Sequence, residues 1–314
     1  MKTNNQNSAQ YEWGPFPFRD GERILDIRYD PVFKAVFTKD TSDSRGALSG
    51  LISALIRRNV VVETIIANEP ATGFLGQKKI RYDIACRSKD GELVNIEMSF
   101  HPIDDELNRL EYFVSRLFVG QDIQGIDKFY SDLKETYQIS ILAQKIFFPD
   151  KYLTHSFQFY DPQAHVSLDG KIRIITLELE KAYTFIGKPV DEMTITERWA
   201  AYFQYLTNEA KREKIEEIIK REEGITMATN TLCQVTADEK EYALLTSLMK
   251  GELDWRSGMR DAERKGHKEG RSEGLFEGRN EANLENARRM KADNMPVSQI
   301  SKYTGLSTET IAQL

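Results

Sequence analysis

The sequence predicts a mixed α/β domain, with a sheet flanked by helices, followed by an all-helical C-terminal part. Two patterns predict the sheet and its helices: leucine and isoleucine recur at helical spacing within 44–58, and apolar residues alternate through 80–100. A third observation predicts the C-terminal part, since helix-forming residues replace strand-like runs after Lys188. With 314 residues, of which 40% are hydrophobic, the chain can bury a substantial core.

The predicted elements of the α/β domain follow one another as helix, strand, two-stranded hairpin, helix and strand. β-Branched residues predict a strand over 60–67, and alternating runs predict strands over 136–148 and 171–181. The two helices are defined by apolar residues at helical spacing: Leu48, Leu51, Ile52, Leu55 and Ile56 in the first, and Leu107, Leu110, Val114 and Leu117 in the second.

The segment KKIRYDIACRSKDGELVNIEMS, residues 78–99, is predicted to be a β-hairpin whose two strands are each buried on one face. Its loop fits a three-residue turn in which Gly91 adopts a left-handed conformation at no steric cost. Ser88 then faces Glu92, and the same register places Asp83 directly opposite Glu97. A two-residue Asp-Gly loop would shift the register by one residue and separate the two acids.

Two like charges opposite each other destabilise a sheet, and no residue of this hairpin neutralises the pair. The arrangement is tolerable where the polar side of the hairpin faces water. It is also tolerable around a bound cation, because two carboxylates can hold Mg²⁺ or Mn²⁺ and so activate water against a phosphodiester. The residues alone leave both interpretations open.

Composition narrows the classes of function. The net charge of −6 repels nucleic acid, so DNA binding requires a local basic patch. Two distant cysteines and four histidines without ligand spacing argue against a disulfide framework and against zinc, leaving a cation held by carboxylate oxygens. No apolar run reaches the roughly 18 residues of a membrane span, so we expect a cytoplasmic protein without a membrane partner.

The chain is expected to divide into five parts: a disordered segment 1–22, an α/β domain 23–190, a helical extension 191–250, a charged segment 251–293 and a small helical motif 294–314. Thr194 with Glu197, and Thr236 with Glu239, each fit a capping box at a helix start. Glycines recur every fourth residue from 266 to 278, which fits either a self-associating helix or a flexible linker.

The closing sequence MPVSQISKYTGLSTETIAQL predicts two short helices over 297–303 and from Ser307, separated by the turn Thr304-Gly305-Leu306. The pattern is similar to a helix-turn-helix. Because the second helix is short and no third helix is evident to support it, a docking or dimer motif is an equal alternative to DNA reading.

The motifs of 29–314, in their order, resemble the PD-(D/E)XK nuclease fold, and more narrowly the recombination-promoting nuclease and putative transposase family of bacteria. They are DPVFKAVF, YDIA, NIEM, NRLEYFVSRL, YQISIL, the glycine-spaced helix and ISKYTGLSTETI. The resemblance implies a restriction-endonuclease-like sheet and a DNA endonuclease that uses Mg²⁺, or Mn²⁺ or Ca²⁺. It also implies an association with recombination or mobile elements.

Carried over by position, the resemblance implies that Asp83 and Glu97 are metal ligands. Ser99 stands where the family has Gln or Lys, and its uncharged hydroxyl can bond a water but cannot stabilise developing negative charge as an ammonium does. Asp30 matches the opening motif and is a possible third acid, beside Phe33, which is expected in the core, and Lys34.

Four further residues are candidate DNA contacts. Lys78 and Lys79 either reach the phosphate or protect a strand edge. Arg109 and Tyr112 either contact the DNA backbone and brace the site, or are an ordinary exposed Arg and a core Tyr. The predicted function is metal-dependent DNA cleavage. The alternative, favoured by Ser99, is a degenerate nuclease fold that binds DNA or protein, with a homodimer formed through the C-terminal helices.

Overall fold

The computed structural model describes residues 24–66, 80–121, 123, 127–168 and 170–314. The predicted disordered segment 1–22, together with Lys78 and Lys79, lies outside these residues. The strands are β1 (Val62–Ile65), β2 (Ile84–Ser88), β3 (Leu93–Ser99), β4 (Thr136–Leu142), β5 (Thr154–Phe157), β6 (Tyr160–Asp161), β7 (Val166–Ser167) and β8 (Ile172–Glu178). The α-helices are α1 (Asp30–Thr38), α2 (Ser42–Ile56), α3 (Glu106–Val119), α4 (Ile195–Tyr205), α5 (Arg212–Arg221), α6 (Glu223–Ala237), α7 (Glu239–Ala292), α8 (Val297–Thr304) and α9 (Thr308–Gln313).

Within these residues a mixed sheet has the strand order β1-β2-β3-β4-β8-β5. The central strands β3, β4 and β8 are parallel, while β1, β2 and β5 run antiparallel to their neighbours. Strands β6 and β7 pair at the tip of the β5–β8 connection. A sheet flanked by helices, followed by helices alone, confirms the predicted fold class.

The β2–β3 hairpin has the predicted register. Gly91 has a φ of +86°, and the amides of Ser88 and Gly91 close the turn by donating to the carbonyls of Glu92 and Ser88. Arg87 pairs with Leu93 and Ile84 with Ile96, so the three-residue loop, not the two-residue one, sets the register. Extended by one residue, this register brings Asp83 to Glu97.

The prediction that each hairpin strand is buried on one face is wrong for β3, every residue of which is buried. Helix α3 covers one face, where Phe113 and Leu117 pack with Ala85 and Leu93. The polar side of the hairpin therefore does not face water, and the solvated-face interpretation of the two acids is wrong as well. The predicted core residue Phe33 is fully buried on α1.

Several predicted boundaries are wrong. The strand expected over 136–148 ends at Leu142, shortly before Gln144, whose φ of +58° is incompatible with a continuing strand. The capping box of Thr194 and Glu197 is present. The one proposed for Thr236 is not, because Thr236 lies inside α6 and the carboxylate of Asp238 accepts the amides of Lys240 and Glu241.

The described chain divides into two compact units, 1–247 and 248–314. In the second unit the glycine-spaced stretch belongs to the continuous helix α7, which at 54 residues is about 80 Å long, so the linker interpretation is wrong. The predicted helix pair at the end is present, with Gly305 at φ +71° and Ser307 accepting the amide of Thr310. A third helix does support the pair, since Ala287 of α7 packs with Ile300 and Ile311.

Among the described residues, no helix is both long and apolar enough to cross a bilayer.

Candidate metal centre

The site is built on the β2–β3 hairpin, where two carboxylates accept main-chain hydrogen bonds from each other's strand. The Asp83 amide donates to Glu97 Oε1 at 3.0 Å, and the Met98 amide donates to Asp83 Oδ2 at 3.0 Å. The Glu97 side chain is 3% exposed and that of Asp83 13%. The hairpin register thus holds the two nearly buried carboxylates together, because the donors of both bonds are main-chain amides.

Among the described contacts, Asp83 and Glu97 are each paired with a cation, and the two cations come from different helices. Lys34 of α1 lies between two carboxylates, with Nζ 3.0 Å from Asp83 and 2.9 Å from Asp30. Arg109 of α3 donates to Glu97 Oε2 at 3.3 Å. The expectation that nothing neutralises the pair is therefore wrong, because tertiary packing brings a cation from each of two helices to the acids.

These two cations do not fully offset the cost of burying the acids. Burial, and then the negative charge of Asp30, raise the pKa of Asp83 despite Lys34. Burial, and then the charge of Asp83, raise the pKa of Glu97. Burial opposes the charge of Lys34, but the carboxylates of Asp83 and Asp30 outweigh it and raise the lysine pKa. Ionisation of both acids thus remains unfavourable despite Lys34 and Arg109.

The polar network continues along the same face of the sheet. Asn95 donates from Nδ2 to Glu97 Oε1 at 2.9 Å and to Gln138 Oε1 of β4 at 2.8 Å. Asn95 thus holds one oxygen of the Glu97 carboxylate, Oε1, while Arg109 bonds the other, Oε2.

Ser99 has a protein partner. Its hydroxyl donates to Glu106 Oε1 at 2.6 Å, and the same Glu106 oxygen lies 3.2 Å from Arg109. Glu106 is 2% exposed, in the first turn of α3. Ser99 therefore positions a buried acid, and Arg109 bridges Glu97 and Glu106.

Sequence reasoning missed Glu106 and the contact of Lys34 with Asp83. Glu106 precedes Arg109 by three residues and Lys34 follows Asp30 by four, both spacings at which opposite charges meet on a helix. Those local pairs were visible in the sequence, whereas their contacts with β2 and β3 depend on tertiary packing.

Of the candidate DNA contacts, Arg109 and Tyr112 lie within the described residues, and both are partly exposed. The Arg109 side chain is 39% exposed, and its guanidinium lies 5.2 Å from the centre of the Phe113 ring. Tyr112 is also 39% exposed, so a core position for it is wrong, because it falls outside the buried stripe of α3. Asp30 is tied to Lys34, and among the described residues no set of three acidic, histidine or cysteine side chains is arranged to hold a metal ion.

The donor chemistry nevertheless fits a hard divalent cation. Mg²⁺ is commonly bound by one or two carboxylates, with waters and substrate phosphate filling its other positions. Asp83 and Glu97 supply two carboxylates, each held in place by a main-chain hydrogen bond from the opposite strand.

Comparison with known proteins gives one finding. A family model described as PD-(D/E)XK nuclease family transposase matches residues 27–262, a span that includes both acids, Lys34 and Arg109. No match was found among curated proteins or solved structures.

Proposed function

Because the chain belongs to the PD-(D/E)XK nuclease family transposases, we propose that it is a divalent-metal-dependent DNA endonuclease with Asp83 and Glu97 as its metal-binding residues. Membership associates the chain with nucleases and mobile elements. The observation that supports cleavage by this chain is the buried carboxylate pair, held by reciprocal main-chain bonds.

A divalent cation bound there supplies Lewis-acid chemistry, lowering the pKa of a bound water and offsetting charge on a phosphate. The chain's own residues orient and neutralise. Asn95 and the Asp83 amide fix the Glu97 carboxylate, and the Met98 amide fixes that of Asp83. Lys34 and Arg109 place positive charge beside the acids, the role that Ser99 cannot perform.

Arg109 is the residue best placed to meet the DNA backbone. Its guanidinium is partly exposed and planar, and it can donate to a phosphate while Glu106 keeps it oriented.

Binding without cleavage is a second candidate function, which a specific contact favours. The Ser99 hydroxyl is committed to Glu106, so this position offers neither a charge nor a free donor to an attacking water. In that case the fold binds DNA or a protein partner through the same exposed residues.

Nicking of supercoiled plasmid with Mg²⁺, Mn²⁺ or EDTA tests the two functions. The proposal expects metal-dependent nicking that is lost in Asp83→Asn and in Glu97→Gln and retained in Asp90→Asn, a matched change at an exposed acid of the hairpin turn. If the folded wild-type protein fails to nick the plasmid with either metal ion but still retards DNA in a gel, binding without cleavage is the function. Nicking that survives both site variants would contradict the proposal outright.

A further inference from the structure

The two edges of the main sheet differ in their protection against pairing with another strand. Strand β1 carries Glu63 and has a register irregularity between Val62 and Thr64. Charges and bulges of this kind are the usual means by which proteins block edge-to-edge association. Strand β5 has neither feature, and residues 152–160, YLTHSFQFY, contain no Lys, Arg, Asp, Glu or Pro.

Among the described residues, no main-chain partner lies on the outer side of β5. The Glu178 amide donates to the Leu153 carbonyl, which makes these residues a hydrogen-bonded pair of the antiparallel β5–β8 ladder. Because such pairs alternate along a strand, the main-chain groups of His155 and Phe157 also point to β8. Those of Thr154 and Ser156 point away from the sheet.

Aromatic side chains continue along this edge. Phe157, Phe159 and Tyr160 are between 40% and 58% exposed. Aromatic residues with exposed apolar surface are enriched at protein interfaces and depleted on free surfaces. Among the described contacts, two cationic groups from other elements reach this segment: Arg57 donates to Thr154 Oγ1 at 3.3 Å, and Lys181 donates to the Tyr152 carbonyl at 2.8 Å.

We propose that β5 is the interface for a second copy of this chain, with the two β5 strands pairing antiparallel about a two-fold axis so that the sheets become continuous. An uncharged edge is complementary to itself, whereas a DNA backbone requires Lys and Arg that this edge lacks. Identical edges related by a two-fold axis meet antiparallel, the arrangement that short strands favour.

Light scattering of the full chain over a concentration series tests this interface. The expected mass is that of two chains. Ser156→Lys is expected to halve it, because two like charges would face each other near the axis. Thr64→Lys is the matched control, since it adds the same charge to the exposed edge strand β1 and is expected to leave the dimer intact.

A different interface is tested in the same series by Leu275→Glu with Phe276→Glu, two exposed residues of α7. A dimer that this double variant dissociates and Ser156→Lys does not would overturn the proposal in favour of the C-terminal helices. A wild-type monomer at all concentrations, or a dimer insensitive to every variant, would overturn it too.

Hydrogen exchange of the wild-type protein provides a readout that does not depend on a variant folding. The Ser156 amide is expected to become protected as protein concentration rises, while the Ile65 amide, on the outer side of β1, is unchanged. A Ser156 amide that exchanges at one rate throughout the series contradicts pairing at β5.

Discussion

Glu97 and Glu178 are both buried on parallel strands of one sheet, but they differ in their cationic partners. The partner of Glu178 is close and buried, whereas that of Glu97 is more distant and partly exposed. Leu142 of β4 is in register with both Ser99 of β3 and Glu178 of β8. Glu178 therefore lies on the same face of the sheet as Glu97, two strands away and two residues further along the strand direction. Lys181 Nζ lies 2.6 Å from Glu178 Oε2, and the amides of Phe147 and Phe148 donate to Oε1.

The environment of Lys181 is also complete. Its side chain is 4% exposed, and its ammonium bonds the Tyr152 carbonyl at 2.8 Å and Asp150 at 3.1 Å in addition to Glu178. Glu97, by contrast, faces another acid. Its cationic partner Arg109 lies 3.3 Å from its carboxylate and is partly exposed to water. A buried acid with a close, buried cationic partner indicates structure, whereas a buried acid beside a second acid indicates a binding or catalytic site.

The largest effect is expected from Glu178→Gln. It leaves a buried ammonium without its closest countercharge, and loss of one partner of a buried pair costs about 3 kcal/mol or more of the free energy of unfolding. Urea unfolding measures it. The double variant Glu178→Gln with Lys181→Met is the control and is expected to recover part of the loss. If the single variant is as stable as wild type, the two acids do not differ in the way described.

Cleavage is expected to depend on the two cations at the candidate site. Arg109→Met removes the charge that Ser99 cannot supply, and loss of one such group lowers a catalytic rate by about 100-fold. Lys34→Met is expected to act in the same direction. Nicking rates at saturating DNA measure the effect separately from binding. Arg87→Met, at an exposed position of the same hairpin, is the control and is expected to retain the wild-type rate.

The sequence predicted those parts of the site that depend on local chemistry. The Asp83–Glu97 pairing follows from one turn, because Gly91 sets the loop and alternation then determines every opposing pair. The contacts of Lys34 with Asp83 and of Ser99 with Glu106 join elements whose mutual packing no local pattern specifies. For the same reason the burial of β3 on both faces was missed, since its polar residues Asn95 and Glu97 imitate a solvent-facing side.

Removal of the Glu97 charge is expected to stabilise the metal-free protein. The folded pKa of Glu97 is raised above its unfolded value, so ionisation opposes folding, and the contribution of this group falls as pH rises through the folded pKa. Glu97→Gln is expected to raise the free energy of unfolding at pH 8 by about 1 kcal/mol, and by less at pH 5. Denaturant titrations in EDTA at both values measure this. A variant less stable than wild type at pH 8 would contradict the excess of negative charge.

The smallest effect is expected at the outer end of the Glu178 network. Asp150 is exposed. Burial raises its pKa, but hydrogen bonds from His155, the Tyr152 amide and Lys181 together outweigh that effect and hold the pKa at about 2. A lowered carboxyl pKa stabilises the fold above the unfolded pKa, and that contribution is lost as pH falls through the folded one. Asp150→Asn is therefore expected to lower the melting temperature slightly at pH 7, by less than Glu178→Gln because Glu178 still neutralises Lys181, and to flatten the fall in stability between roughly pH 4 and pH 2. Thermal melts across this range measure it, with Asp161→Asn as an exposed control in the same region.

A loss at pH 7 as large as that of Glu178→Gln would mean that Lys181 depends on Asp150 and that the buried pair is not self-sufficient.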